Sequence, residues 1–141
     1  MSEEIWRRKG PCLYLVSGDD AKLRYVGISR NGLKDRWRTS PAYDAVTMVR
    51  LEKNQLFHSQ CWRHIERESK ATPGVAFEVR CLAAEDIIAL SGTLGPQVDA
   101  LVQAFGEDHE SIVAGLERWL CNHSAPDLLS WNVAMTGKRS A

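Results

Sequence analysis

The chain has 141 residues, 44% of them hydrophobic, which is enough to enclose one core and too little for two substantial domains. Its 18 lysines and arginines are matched by 18 aspartates and glutamates, a balance that excludes a histone-like or polybasic class. The charge is nevertheless divided. Residues 1–80 carry 15 basic against 10 acidic side chains and residues 81–141 carry 3 against 8, so the N-terminal half is the better candidate to face phosphates. No apolar run reaches the roughly 18 residues of a membrane span, and the stretch from Met1 to Lys9 is not the apolar segment of a secretory signal; a cytoplasmic chain with no membrane partner is expected. Cys12, Cys61, Cys81 and Cys121 are scattered without a C-x-x-C pair, so reduced thiols are expected rather than a disulfide framework.

Residues 12–17 and 23–28 are short segments rich in β-formers around Gly18-Asp19-Asp20-Ala21-Lys22, a β-hairpin pattern. Side chains alternate along a strand, so Leu13 and Leu15 share one face while Tyr14 and Val16 share the other. The two phenols, Tyr14 and Tyr25, fall on adjacent strands. Ser29 or Asn31 is placed to cap a helix carrying Leu33, Arg36 and Trp37, with Pro41 as its boundary. Residues 42–52 fit helix or loop equally. A helix is expected from about Asn54 to Lys70, ending before Thr72-Pro73-Gly74.

Residues 75–82 (Val-Ala-Phe-Glu-Val-Arg-Cys-Leu) carry the clearest isolated strand pattern and supply a third strand. Helical segments follow at about 84–91, 96–105 and 108–122, punctuated by Gly92, Gly95-Pro96 and Gly106. The last gathers Ile112, Val113, Leu116, Trp119 and Leu120 on one broad face and sets Glu117 at its margin. An irregular segment spans Leu128–Ala134, and 136–141 reads as a polar tail. The expected architecture is one compact α/β domain over 1–135, with a small, mainly antiparallel three-stranded sheet flanked by helices.

Cys12-Leu13-Tyr14, ten intervening residues, Tyr25-Val26-Gly27 and Leu33-Lys34-Asp35-Arg36-Trp37 together resemble the signature of the GIY-YIG nuclease family. Leu116-Glu117-Arg118-Trp119-Leu120 and Ser130-Trp131-Asn132-Val133-Ala134 are similar to that family's metal-binding Glu helix and closing Asn segment. Taken singly, these residues have ordinary structural explanations; the resemblance lies in their order over residues 12–134. Relative to the minimal family module, the helices at 84–105 look like an insertion.

The resemblance implies a metal-dependent endonuclease that hydrolyses nucleic-acid phosphodiesters, with DNA the favoured substrate. Glu117 would hold Mg²⁺ or Mn²⁺, with water completing the shell. Arg36 would pair with the scissile phosphate, Tyr14 would take the proton of the attacking water, and Tyr25 would hold the nucleophile or the phosphate. Gly27 would permit close approach of the substrate, and Asn132 would brace the site.

Two positions depart from the pattern. Cys12 stands where the motif has its first glycine, and Ser40 stands four residues after Arg36, where a basic residue is common in the family. His58, or His64, is the nearest substitute for that base. The spacing of His58, Cys61 and His64 matches no standard zinc knuckle. Ser40 also favours an alternative in which the same fold serves as a catalytically weakened nucleic-acid-binding or protein-interaction module. In a chain of one domain, substrate choice would come from residues 42–70, the insertion at 84–105, a homodimer or a specificity partner.

Overall fold

The computed structural model describes residues 3–36, 39–43, 50–56 and 61–132. After a short helix α1 (Glu3–Arg7) come the strands β1 (Cys12–Gly18) and β2 (Leu23–Ser29). They pair antiparallel with Tyr14 opposite Gly27 and Val16 opposite Tyr25. Their turn is closed locally: the Asp20 carboxylate accepts the Lys22 amide at 2.9 Å and receives the Arg24 guanidinium at 3.0 Å. Ala21 takes the left-handed conformation, φ 62°, that this tight reversal requires.

Helix α2 (Leu33–Arg36) follows the hairpin, and β3 (Thr39–Tyr43) and β4 (Arg50–Leu56) form a separate antiparallel ribbon. Here the structure corrects the sequence reading. Pro41 does not bound a helix; it lies within β3, where a two-stranded ribbon leaves outward backbone positions that need no N–H, and the register shifts between Pro41 and Tyr43. Residues 50–56 are strand rather than loop or helix, so the helix expected from Asn54 begins instead at Cys61, as α3 (Cys61–Ala71). Ser29, the last residue of β2, also acts differently from a helix cap, because its hydroxyl donates to the Gly32 carbonyl at 2.7 Å. Trp37 lies outside the described residues.

Strand β5 (Phe77–Ala83) pairs antiparallel with β1, giving the sheet order β2-β1-β5. The third strand expected from the sequence is therefore present, and it makes β1 central. Helices α4 (Ala84–Ala89), α5 (Pro96–Phe105) and α6 (His109–His123) complete the element order. The acidic first turn of α4 receives two contacts: Asp86 accepts the Ala83 amide at 2.9 Å and binds Arg8 at 2.9 Å. Proline at the first position starts α5, and the Asp108 carboxylate accepts the Ser111 amide at the start of α6. No helix among the described residues is long and apolar enough to cross a membrane.

Both faces of the sheet are buried. On one, Leu13, Leu15, Val26, Ile28 and Leu82 pack with Ile87, Val98, Ile112, Val113 and Leu116 of α4, α5 and α6. On the other, Tyr14, Val16, Tyr25, Val79 and Cys81 pack with Trp6, Leu33, Cys61, Ile65 and Trp131. The alternation read from β1 sorts its side chains onto these two faces.

Of the two edges of this sheet, the outer side of β2 is closed by the C-terminal segment. The amides of Leu129 and Trp131 donate to the carbonyls of Leu23 and Arg24 at 2.9 and 3.1 Å. The buried side chain of Asn132 then acts as a strand partner: its Oδ1 accepts the Val26 amide at 2.9 Å and its Nδ2 donates to the Val26 carbonyl at 2.8 Å. Removing that amide leaves a buried donor and a buried acceptor without their partner. Asn132→Ala should therefore destabilise the fold by about 2–4 kcal/mol, measured as a lower urea midpoint with an unchanged slope.

Candidate functional site

Tyr14, Tyr25, Gly27, Glu117 and Asn132 come from four separate stretches of chain. The β1–β2 register brings the first three together directly. Tyr14 projects from the central strand and lays its ring across Gly27 on the neighbouring strand. A methyl group built on Gly27 would overlap Cζ and Oη of Tyr14 and stand 2.8 Å from Cε2. Glycine at this position therefore makes room for the tyrosine, a more immediate reason for it than access by a substrate. The Tyr14 and Tyr25 rings lie 6.0 Å apart between centroids, tilted by 33°.

Tyr14 is fully buried, 0% exposed, and its hydroxyl is enclosed. The sequence reading gave this residue direct contact with the attacking water, whereas in the structure Leu33, Cys61 and Trp131 pack around it. Tyr25 is half-buried and so is the nearer of the two to solvent. Burial pushes the Tyr25 phenol well above its ordinary value, and the neighbouring Tyr14, Cys61 and Glu117 add to the effect. Tyr25 thus holds its proton at neutral pH and acts as a hydrogen-bond donor.

The electrostatic influence of Glu117 on Tyr25 ties α6 to the hairpin. Glu117 follows the buried Leu116 and is itself half-buried, at the margin of the helix face as its sequence position implies. The amide of Asn132 holds Val26, the residue between Tyr25 and Gly27. It is a positioning residue for the two strand positions on either side.

Arg36 is the last residue of α2, and Ser40 lies in β3 opposite Gln55. The surroundings of both side chains lie outside the described residues, as does His58 altogether. His64, the other candidate base, is committed elsewhere: it stacks on Trp131 with centroids 5.3 Å apart and planes within 11°. Burial, then Arg67, holds its pKa below the usual imidazole value, with Glu68 opposing.

Cys61 was not singled out as a site residue by sequence, yet it opens α3 inside the same cluster, with no exposed surface. Its apolar spacing with Ile65 on a helix identified it only as core. Among the described residues no group of three or more His, Cys, Asp or Glu side chains is gathered for a metal ion. The single carboxylate of Glu117 is a hard oxygen donor of the kind that suits a largely hydrated Mg²⁺ or Mn²⁺ completed by phosphate oxygens and not zinc.

No protein-family model, no curated protein and no solved structure matches the chain. The functional reading rests on the residues themselves.

Two consequences can be measured. Gly27→Ala should destabilise the protein by about 1–3 kcal/mol through overpacking against Tyr14, and the penalty should shrink when Tyr14 is replaced by valine. Because the folded-state pKa of Tyr25 is raised above the ordinary 10.0, its contribution is complete below that pH and declines as pH rises above it, where the folded state binds more protons than the unfolded. Urea midpoints measured at increasing alkaline pH should fall more steeply for the parent than for Tyr25→Phe.

Proposed function

We propose that the chain is a metal-dependent nuclease of the GIY-YIG kind, hydrolysing phosphodiesters of nucleic acid, DNA above all. What carries this reading is the meeting of Tyr14 and Tyr25 on adjacent strands, ring centroids 6.0 Å apart, with Gly27 making room for the Tyr14 ring. Phosphodiester cleavage needs hydrogen-bond donors and positive charge where the phosphorane charge develops, and a route for the proton of the attacking water. Tyr25, protonated and nearest the solvent, donates a hydrogen bond to a phosphoryl oxygen or to the nucleophile. Tyr14 stands behind it, its own hydroxyl enclosed, and serves proton transfer through Tyr25. Arg36, at the end of α2, pairs with the phosphate. A divalent cation held by Glu117 would supply Lewis-acid stabilisation of the transition state. Gly27 and Asn132 hold the strand that carries Tyr25.

The basic side of the chain agrees with a phosphate-bearing partner. Arg30 before α2 and Lys34 within it are exposed, as is Lys9, and the backbone of Arg8 and Lys9 packs directly against Gly32 at the foot of the same helix. A nucleic-acid-binding or protein-interaction module of the same fold is the second reading, favoured by the enclosure of Tyr14 and by Ser40.

Cleavage of a panel of duplex, single-stranded and branched DNA in Mg²⁺ or Mn²⁺ separates the two. In the nuclease reading Tyr25→Phe and Tyr14→Phe each lower the cleavage rate by about 10²–10⁴-fold while remaining folded. Glu117→Gln, which keeps the shape of the side chain, should bind nucleic acid but lose cleavage at every concentration of either metal. Binding by the parent with no cleavage in any metal would establish the module instead.

A further inference from the structure

The departure at Cys12 has a partner across the sheet. In the β1–β5 register Cys12 is opposite Ala83 and Tyr14 is opposite Cys81. Residues two apart along a strand share a face, so Cys12, Tyr14 and Cys81 project from the same side, with the two cysteines as diagonal neighbours. Each thiol is the first influence on the titration of the other, and neither is in a disulfide.

The two members are unlike. Cys12 is buried at 3% exposure, whereas Cys81 is half-buried. The neighbouring Cys12 thiol draws Cys81 below the ordinary value, against opposition from burial and Asp86, and Arg8 assists. The same pairing, followed by burial, pushes Cys12 upward. A reachable sulfur that favours the thiolate, backed by an enclosed thiol that supplies a proton, is the division of labour between an attacking and a resolving cysteine.

We propose that Cys81 and Cys12 form a redox-active dithiol that a hydroperoxide converts into a cross-strand disulfide. The Cys81 thiolate attacks one peroxide oxygen; the O–O bond breaks, the departing oxygen leaves as alcohol or water after taking a proton, and Cys81 becomes a sulfenic acid. The Cys12 sulfur then gives up its proton and attacks the Cys81 sulfur. Its S–O bond breaks, and the hydroxide leaves as water. Two thiols have lost two electrons and the peroxide has gained them. Diagonal cross-strand neighbours stand farther apart than the Cβ spacing of an unstrained disulfide, so the strands must adjust to form it, and the resulting bond is readily reduced. Tyr14 lies next to both cysteines on that face, so the adjustment falls on the strand that carries it. This proposal does not depend on the nuclease reading.

Trypsin cuts after Lys9, Lys22, Lys53, Arg63, Arg80 and Arg118, which places the four cysteines on four different peptides. The full chain, treated with stoichiometric hydrogen peroxide at neutral pH and then alkylated, should yield one linked pair, the Cys12 and Cys81 peptides. Dithiothreitol should separate them. Cys81→Ser should slow peroxide consumption by about tenfold or more, the change expected when the thiolate-forming sulfur is removed. Cys12→Ser should leave Cys81 as a sulfenic acid that dimedone traps. If that buried substitution prevents folding, the peptide map of the parent decides alone. Alkylation of all four cysteines after peroxide, or a linkage through Cys61 or Cys121, would overturn the proposal.

Discussion

The ring of Tyr14 lies across the α-carbon of Gly27, and the arrangement of the hairpin depends on that contact. A side chain at position 27 would collide with the phenol, so either the ring would leave the sheet face or the strands would separate. With glycine there, the bulky residue of the central strand fits beside its neighbour, and Tyr25 falls 6.0 Å away on the same face. Leu33, Cys61 and Trp131 then close over Tyr14 from three remote parts of the chain. A fully buried phenol at the middle of the sheet thus fixes where α2, α3 and the C-terminal segment must pack. The residues proposed for chemistry are held by the same contacts that hold the fold.

The open edge of β2 is secured by a different kind of contact. Asn132 offers a side-chain amide where a strand would offer a peptide, and both of its hydrogen bonds to Val26 are buried. Trp131 extends this attachment: its indole N–H donates to Glu68 at 3.0 Å, and its ring lies against His64 and Phe77. Glu68 is also 3.6 Å from Arg24, which binds Asp20 in the turn. The exposed members of this chain contribute little individually. The buried amide and the enclosed indole provide most of the hold, because unpaired polar groups in those positions are costly and a large aromatic surface is removed from water.

The parts of this fold that were legible in the sequence are those with a clear period. Alternation in 12–17, 23–28 and 75–82 gave all three strands of the main sheet, and the spacing of Ile112, Val113 and Leu116 gave the inward face of α6. Glycines and Pro96 marked the breaks between α4, α5 and α6. The β3–β4 ribbon had no such signal: Arg-Leu-Glu-Lys-Asn-Gln-Leu in β4 is mostly polar, so its composition did not distinguish a ribbon from a helix start. The proximity of Tyr14 and Tyr25 followed from the hairpin alone, but the enclosure of Tyr14 did not. It is produced by residues up to 117 positions away, and no local pattern announces them. The role of Asn132 as a strand partner was hidden for the same reason.

Enclosure also changes what the tyrosines can do. A phenol that accepts a proton must first become an anion, and burial, the neighbouring phenol and the charge of Glu117 all act against that state at Tyr25. Each of those influences favours a donor. A phosphate carrying developing negative charge is the kind of group such a donor stabilises, and an arriving cation is the kind that would relax the opposition from Glu117. In the nuclease reading proposed above, positive charge bound near Glu117 would ease that opposition and permit proton transfer through Tyr25 toward Tyr14.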